Sequence, residues 1–155
     1  MTLQIAVLRL PHHDPALPLP DYATAGSAGM DLYASLQPDD RAEGLALPSL
    51  GRVLVPTGLA IAIPEGHEGQ VRPRSGLAVR HGVTVANAPG TIDSDYRGEL
   101  GVLLTNLSLE TYWVSHGTRI AQLVIAPVTR ARLVPAESLP GTARGEGGFG
   151  STGTH

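Results

Sequence analysis

The residues best suited to chemistry begin with a pair of carboxylates. Asp93 and Asp95 lie two apart in Asn87-Ala-Pro-Gly-Thr-Ile-Asp-Ser-Asp-Tyr-Arg-Gly98. In an extended chain, residues i and i+2 face one side, so one carboxylate can orient a water while the other pairs with an arginine. The same residues also make an ordinary solvated turn. Pro89-Gly90 is a strong turn signal and predicts a hairpin over residues 83–96 with an irregular tip. Asn87 carries an amide that can meet both a donor and an acceptor on a planar base edge.

A second segment, Arg72-Pro-Arg-Ser-Gly-Leu-Ala78, reads as a strand that ends at a proline before Ser75 opens a short helix. The free N–H groups and positive end of that helix favour an anion, and Arg74 and Ser75 add donors suited to phosphate oxygens. The bland alternative is simple N-capping by Ser75. A third segment, Arg144-Gly-Glu-Gly-Gly-Phe-Gly-Ser-Thr-Gly153, has five glycines in ten residues. Its backbone can approach a phosphate closely, Arg144, Ser151 and Thr152 supply donors, and Phe149 offers a face for stacking on a base. By composition alone it is a flexible tail, ordered only when a ligand arrives. Two further segments are plainer: Ala25-Gly-Ser-Ala-Gly-Met-Asp-Leu-Tyr33, a turn into a strand with Asp31 solvated, and Gln122 on the alternating run from Arg119.

The elements that must position these residues are short. With 13 Pro and 19 Gly dispersed along 155 residues, few stretches can run as helix. Runs with β character are Leu3–Leu10, Arg52–Ile63 (split at Pro56-Thr57-Gly58), Gln70–Arg74, Val83–Ala86, Glu99–Leu107, Thr111–Val114 and Arg119–Val128. Many short strands between turn signals predict an all-β sandwich or barrel. The one helix expected is Gly76–His81 with Ser75 as its N-cap. Residues 37–51 read as an exposed loop. There is no internal repeat, and the length suits one domain over 1–140 followed by a tail over 141–155.

Composition excludes several classes. The formal net charge is −3, so bulk electrostatics give no general affinity for nucleic acid. All eleven basic residues are arginines, which removes the Gly-Lys-Ser/Thr phosphate loop. With no cysteine, disulfides, zinc thiolates and thiol nucleophiles are absent. Of the six histidines, only His12-His13 suggests a metal, in a Pro-rich loop. No stretch approaches the ~20 apolar residues of a membrane span, and Met1–Pro11 does not resemble a signal peptide, so a cytoplasmic protein is expected. Charged residues make up only 16%, against roughly 25% in soluble domains, which suits surface buried between subunits.

Taken in order, five segments resemble the five motifs of the trimeric dUTPases: Ala28-Gly-Met-Asp-Leu-Tyr33, Arg72-Pro-Arg-Ser-Gly-Leu77, Gly90-Thr-Ile-Asp-Ser-Asp-Tyr-Arg-Gly-Glu99, Arg119-Ile-Ala-Gln-Leu123 and Arg144–Gly153. The resemblance runs from about residue 25 to near the C-terminus. It implies a jelly-roll homotrimer whose active sites are shared between subunits, each closed by a Gly-rich tail. It implies hydrolysis of dUTP to dUMP and pyrophosphate, which keeps uracil out of DNA and supplies dUMP for dTMP synthesis.

In that family's terms, Asp93 is the general base that activates water against the α-phosphorus. Asn87 and the backbone near Thr91 read uracil, and Tyr96 packs on the deoxyribose and excludes a 2′-hydroxyl. Arg74, Ser75, Gly76 and Gln122 bind the phosphate chain. Arg144, Gly150, Ser151 and Thr152 close on the outer phosphate while Phe149 stacks on uracil. One Mg²⁺, held mainly by substrate phosphates, is contacted by Asp31 through water. The alternatives are a dCTP deaminase-like enzyme and a non-catalytic trimeric nucleotide-binding module. The deaminases carry a catalytic Glu three residues before an Asn, where this chain has Leu103 before Asn106.

Overall fold

A computed structural model describes residues 3–148. Among these, ten strands and one helix follow the chain: β1 (Ala6–Arg9), β2 (Met30–Tyr33), β3 (Leu45–Leu47), β4 (Arg52–Ala62), β5 (His67–Arg72), α1 (Ser75–His81), β6 (Val83–Val85), β7 (Gly90–Ile92), β8 (Glu99–Asn106), β9 (Tyr112–Val114) and β10 (Arg119–Pro127). Two four-stranded sheets form, in the orders β1-β4-β8-β6 and β2-β10-β5-β7, with β3 and β9 as a separate pair. All the strand pairings are antiparallel. This is the expected all-β, jelly-roll architecture with one short helix.

Strict alternation builds the core. Along β8, Leu100, Val102, Leu104 and Asn106 point inward and their neighbours outward, the period of two that a half-buried strand requires. A single buried cluster joins Val55, Val102 and Leu104 of one sheet to Leu32, Val71, Ile120 and Leu123 of the other, so the sheets share one core. Asn106, fully buried at the end of β8, satisfies itself locally: its amide donates to the carbonyls of Leu47 (3.0 Å) and Glu110 (2.7 Å), and its oxygen accepts from the Ser108 N–H (2.9 Å) and hydroxyl (2.7 Å).

Three expectations are corrected. Arg52–Ile63 is not split, because β4 runs through Pro56-Thr57-Gly58 as a bulge in its pairing with β8. Thr57 Oγ1 donates to Leu100 O (2.7 Å), the Gly58 N–H donates to Glu99 Oε1 (2.7 Å), and Gly58 O accepts from the Leu10 N–H (2.8 Å), so the bulge leaves these polar groups satisfied. Gly58 has φ +67°, and a Cβ there would lie 2.8 Å from His13 Cα, so both conformation and space demand glycine. Residues 37–51 are not simply an exposed loop: they hold a 3₁₀ turn (Pro38–Asp40), strand β3 with Leu47 fully buried, and Arg41, which donates to the carbonyls of Leu36 and His12. Nor do residues 83–96 form a hairpin. Strand β6 joins β8 in one sheet and β7 joins β5 in the other, so the turn at 86–89 crosses between sheets. After β10, the described chain to residue 148 forms neither strand nor helix.

Candidate functional site

Four separate segments converge at one end of the second sheet. Strand β10 pairs with β2 on one side and β5 on the other, bringing Gln122 opposite both Asp31 and Arg72. Beyond β5 the chain turns at Pro73 into α1, so Arg74, Ser75 and Gly76 arrive beside Asp31 and Gln122. A cavity of about 300 Å³ is lined by Ala23, Ser27, Ala28, Gly29, Asp31, Arg74, Ser75, Gly76 and Gln122. Five residues expected from the sequence therefore share one cavity.

Its electrostatics are organised around Asp31. Arg74 Nε donates to one carboxylate oxygen and Arg119 donates to the other, both at 3.0 Å, and Arg74 also donates to the Arg119 carbonyl (3.3 Å). The Asp31 side chain is 19% exposed and that of Arg74 26%, while Arg119 is half exposed. Asp31, which lines the cavity, thus holds two guanidinium groups rather than standing solvated. Two positive groups against one negative leave a net positive site, suited to phosphate.

Gln122 is more than an outward residue on an alternating strand. Its amide donates to the Pro73 carbonyl (3.0 Å), tying β10 to the start of α1. It lies so close to Gly29 that a Cβ there would sit 2.5 Å from the Gln122 amide oxygen. The helix itself starts differently from expectation: Arg74 is the N-cap, with no side-chain cap bond, and Ser75 is the first helical residue. That frees the Ser75 hydroxyl from capping and leaves it on the cavity wall. In the first turn the Leu77 N–H donates to Arg74 O (3.1 Å), which leaves the N–H groups of Ser75 and Gly76 without an intrahelical acceptor. At the other end, Gly82 (φ +64°) caps the helix through its N–H to Ala78 O.

The remaining expected residues lie elsewhere. Asp93 and Asp95 sit in a turn, closed by the Tyr96 N–H to Asp93 O at 3.1 Å, rather than in an extended chain. Both still line one cavity, of about 280 Å³, together with His67, Glu68 and Arg130. Neither pairs with an arginine among the described residues; Arg97 donates instead to the carbonyls of Ser94 and Tyr96, each at 2.7 Å. Asn87 is exposed on the crossing segment beside buried Gly90, and Thr91 is exposed on β7. Tyr96 is 44% exposed and donates to Glu99 O (3.0 Å). Arg144 is exposed and donates to Gly147 O (2.8 Å), while Phe149, Gly150, Ser151 and Thr152 lie outside the described residues. Within one chain, then, the phosphate-type cavity and the Asp93 cavity have no lining residue in common.

Two residues escaped the sequence reading. Arg119 braces Asp31, and its placement three residues before Gln122 on one strand was the available signal. Gly29 makes room for Gln122, which only the packing reveals. For a metal, no group of three His, Cys, Asp or Glu among the described residues can form a cage. His12 bonds Glu99 (3.0 Å) and His13 is buried, with its Nδ1 on the Thr57 carbonyl (3.3 Å), so each of that pair has a structural partner. Among the described residues, Asp31 is the one carboxylate lining the cavity and both its oxygens accept from arginines, so a Mg²⁺ there would be held chiefly by substrate phosphates and waters. No helix among the described residues is long and apolar enough to cross a membrane.

Known proteins resemble this chain over nearly its whole length. The family model described as dUTPase matches residues 16–153. The deoxyuridine 5′-triphosphate nucleotidohydrolase of Dinoroseobacter shibae is 60% identical over 153 residues, covering 99% of both chains. That of Methylocella silvestris is 60% identical, covering 97% of this chain and 92% of the relative. Among solved structures, a mutant dUTPase of Staphylococcus bacteriophage 80alpha with dUpNHpp superposes with a TM-score of 0.83 at 26% identity, covering 98% of this chain and 99% of the other.

Proposed function

The chain belongs to the dUTPase family and hydrolyses dUTP, and from that premise we propose the route by which its own residues do so. The observation that carries the proposal is the convergence of Asp31, Arg74, Ser75, Gly76 and Gln122 on one cavity. This cavity takes the triphosphate. Arg74 and the Ser75 hydroxyl donate to its oxygens, and Arg119, held by the same carboxylate, keeps the local field positive. Asp93, exposed in its turn and free of any arginine pair among the described residues, takes a proton from a water. The water oxygen bonds to the α-phosphorus, the bond from that phosphorus to the α–β bridging oxygen breaks, and pyrophosphate leaves. Mg²⁺, when bound, would neutralise charge on the leaving group, and Asp31 is the residue of this cavity that would help to hold it.

The separation of the two cavities within one chain supports a site completed by neighbouring copies, as a homotrimer provides. So does the exposed apolar surface, including a groove of about 490 Å³ lined by Leu3, Ile5, Val7, Met30, Leu123 and Ile125. In such an assembly Asn87, Thr91 and the backbone around Gly90 meet the uracil edge, and Tyr96 packs against the deoxyribose. The tail, with Arg144, Phe149, Gly150, Ser151 and Thr152, closes over the nucleotide. The product dUMP and the removal of dUTP serve thymidylate supply and the exclusion of uracil from DNA. Leu103 has no acid–base chemistry, and Asn106 is spent on structural bonds, which disfavours deamination.

The test is pyrophosphate release from dUTP by the wild-type protein and Asp93→Asn, with ammonia release from dCTP measured in parallel. A fall of at least ~100-fold in the variant is expected, with no ammonia. Unchanged turnover in Asp93→Asn removes the aspartate from the base role.

A further inference from the structure

Tyr96 is held in place by the two residues that follow its arginine neighbour. Its hydroxyl donates to the Glu99 carbonyl at 3.0 Å. The ring thereby lies back over the backbone at Gly98. A Cβ built on Gly98 would overlap the Tyr96 hydroxyl oxygen and lie 2.6 Å from Cζ and 3.0 Å from Cε2; its three nearest atoms all belong to Tyr96. Gly98 does not have the left-handed backbone that favours glycine, since its φ is outside the positive range. It is also exposed. Neither backbone conformation nor core packing therefore requires glycine at 98. The nearest obstruction to a side chain there is Tyr96.

The seat beneath the ring is fixed from a distance. The Glu99 carboxylate accepts from the Gly58 N–H at 2.7 Å and from His12 Nε2 at 3.0 Å, joining β8 to the β4 bulge and to the N-terminal segment. The carbonyl that receives the tyrosine hydroxyl is thus anchored at its own residue. Tyr96, half exposed, is the part free to move.

We propose that Gly98 is a specificity-determining position: by lacking a side chain it lets Tyr96 lie against the backbone in the orientation that rejects a 2′-hydroxyl. This rests on the reading of Tyr96 as the residue facing the sugar. Gly98 touches no substrate and acts only through the tyrosine, as a positioning residue. Alanine at 98 drives the ring off Glu99 O by rotation about its own side-chain bonds, while the turn from Asp93 to Tyr96, closed through backbone atoms, is retained.

The experiment measures kcat/KM for dUTP and UTP, with Mg²⁺, in wild type, Gly98→Ala, Tyr96→Ala and the double variant, together with thermal unfolding. Gly98→Ala is expected to unfold within a few degrees of wild type and to lower the dUTP-to-UTP ratio at least about tenfold. In the Tyr96→Ala background, the same substitution is expected to change that ratio by less than about twofold. An unchanged ratio in Gly98→Ala, or an equal effect with and without the tyrosine, overturns the proposal. So does a Gly98→Ala chain that fails to fold, because the added carbon would then be strained against more than the ring. A Tyr96→Ala protein that keeps full discrimination defeats the underlying reading of the tyrosine instead, and the two failures are told apart by which variant shows them.

Discussion

Asp31→Ala isolates what the carboxylate does for the two arginines. Arg74 and Arg119 each bond one of its oxygens at 3.0 Å, with Asp31 19% exposed. A hydrogen bond between charged groups is worth about 1.5–3 kcal/mol when shielded, and the partial exposure of Arg74 argues for about 1.5. The bond to half-exposed Arg119 falls among surface pairs, at about 0.5 kcal/mol. Losing both leaves two unrestrained guanidinium groups that repel each other, so the triphosphate must order them itself. A total of about 2 kcal/mol corresponds to a roughly 30-fold fall in kcat/KM for dUTP. Arg119→Ala, which leaves Asp31 on Arg74, is expected to cost about twofold. Steady-state pyrophosphate release, measured across a Mg²⁺ titration, reads these values directly. If Asp31→Ala stays within about threefold of wild type, the bracing role is wrong. If excess Mg²⁺ restores it fully, the carboxylate acts on the metal rather than on the arginines.

Other perturbations address the frame and the tail. Asn106→Ala leaves the Leu47 and Glu110 carbonyls and the Ser108 N–H without their partner, at about 1–3 kcal/mol for each buried group; urea unfolding is expected to show a loss of about 3 kcal/mol, and a loss below about 1 kcal/mol contradicts it. The Ala16 N–H and the His116 ring, aided by the Arg41 charge, hold the Asp14 carboxyl below the ordinary aspartate range. A depressed folded pKa gives stability that is present above the unfolded value and lost as pH falls through the folded one. Asp14→Asn is therefore expected to unfold in urea with a shallower pH dependence below about pH 4 than wild type, and parallel curves contradict this. A chain ending at Pro140 is expected to keep its far-ultraviolet circular dichroism and lose most turnover of dUTP; full turnover removes the tail from the site.

Much of the site was legible because it depends on residue type in order. Asp31, the adjacent Arg74 and Ser75, and Gln122 come from three distant parts of the sequence, and antiparallel pairing of β10 with both β2 and β5 brings them together on one cavity. What escaped was set by partners distant in sequence. The β4 bulge looked like an interruption, because the Glu99 side chain that satisfies Gly58 lies 41 positions away. Strand β3 carries only Leu45 and Leu47 as large apolar residues, too short a run to stand out until β9 pairs with it. The pattern over 83–96 suggested a local hairpin, yet each half found a better partner in a different sheet. The helix start was off by one residue, since Ser75 looks like a cap but sits inside the first turn.

The central claim is that water attacks the α-phosphorus of dUTP. Turnover in water enriched in oxygen-18, followed by mass spectrometry of both products, tests it directly. The account predicts one labelled oxygen in dUMP and none in pyrophosphate after a single turnover. Label in pyrophosphate instead places the attack on the β-phosphorus and contradicts the mechanism.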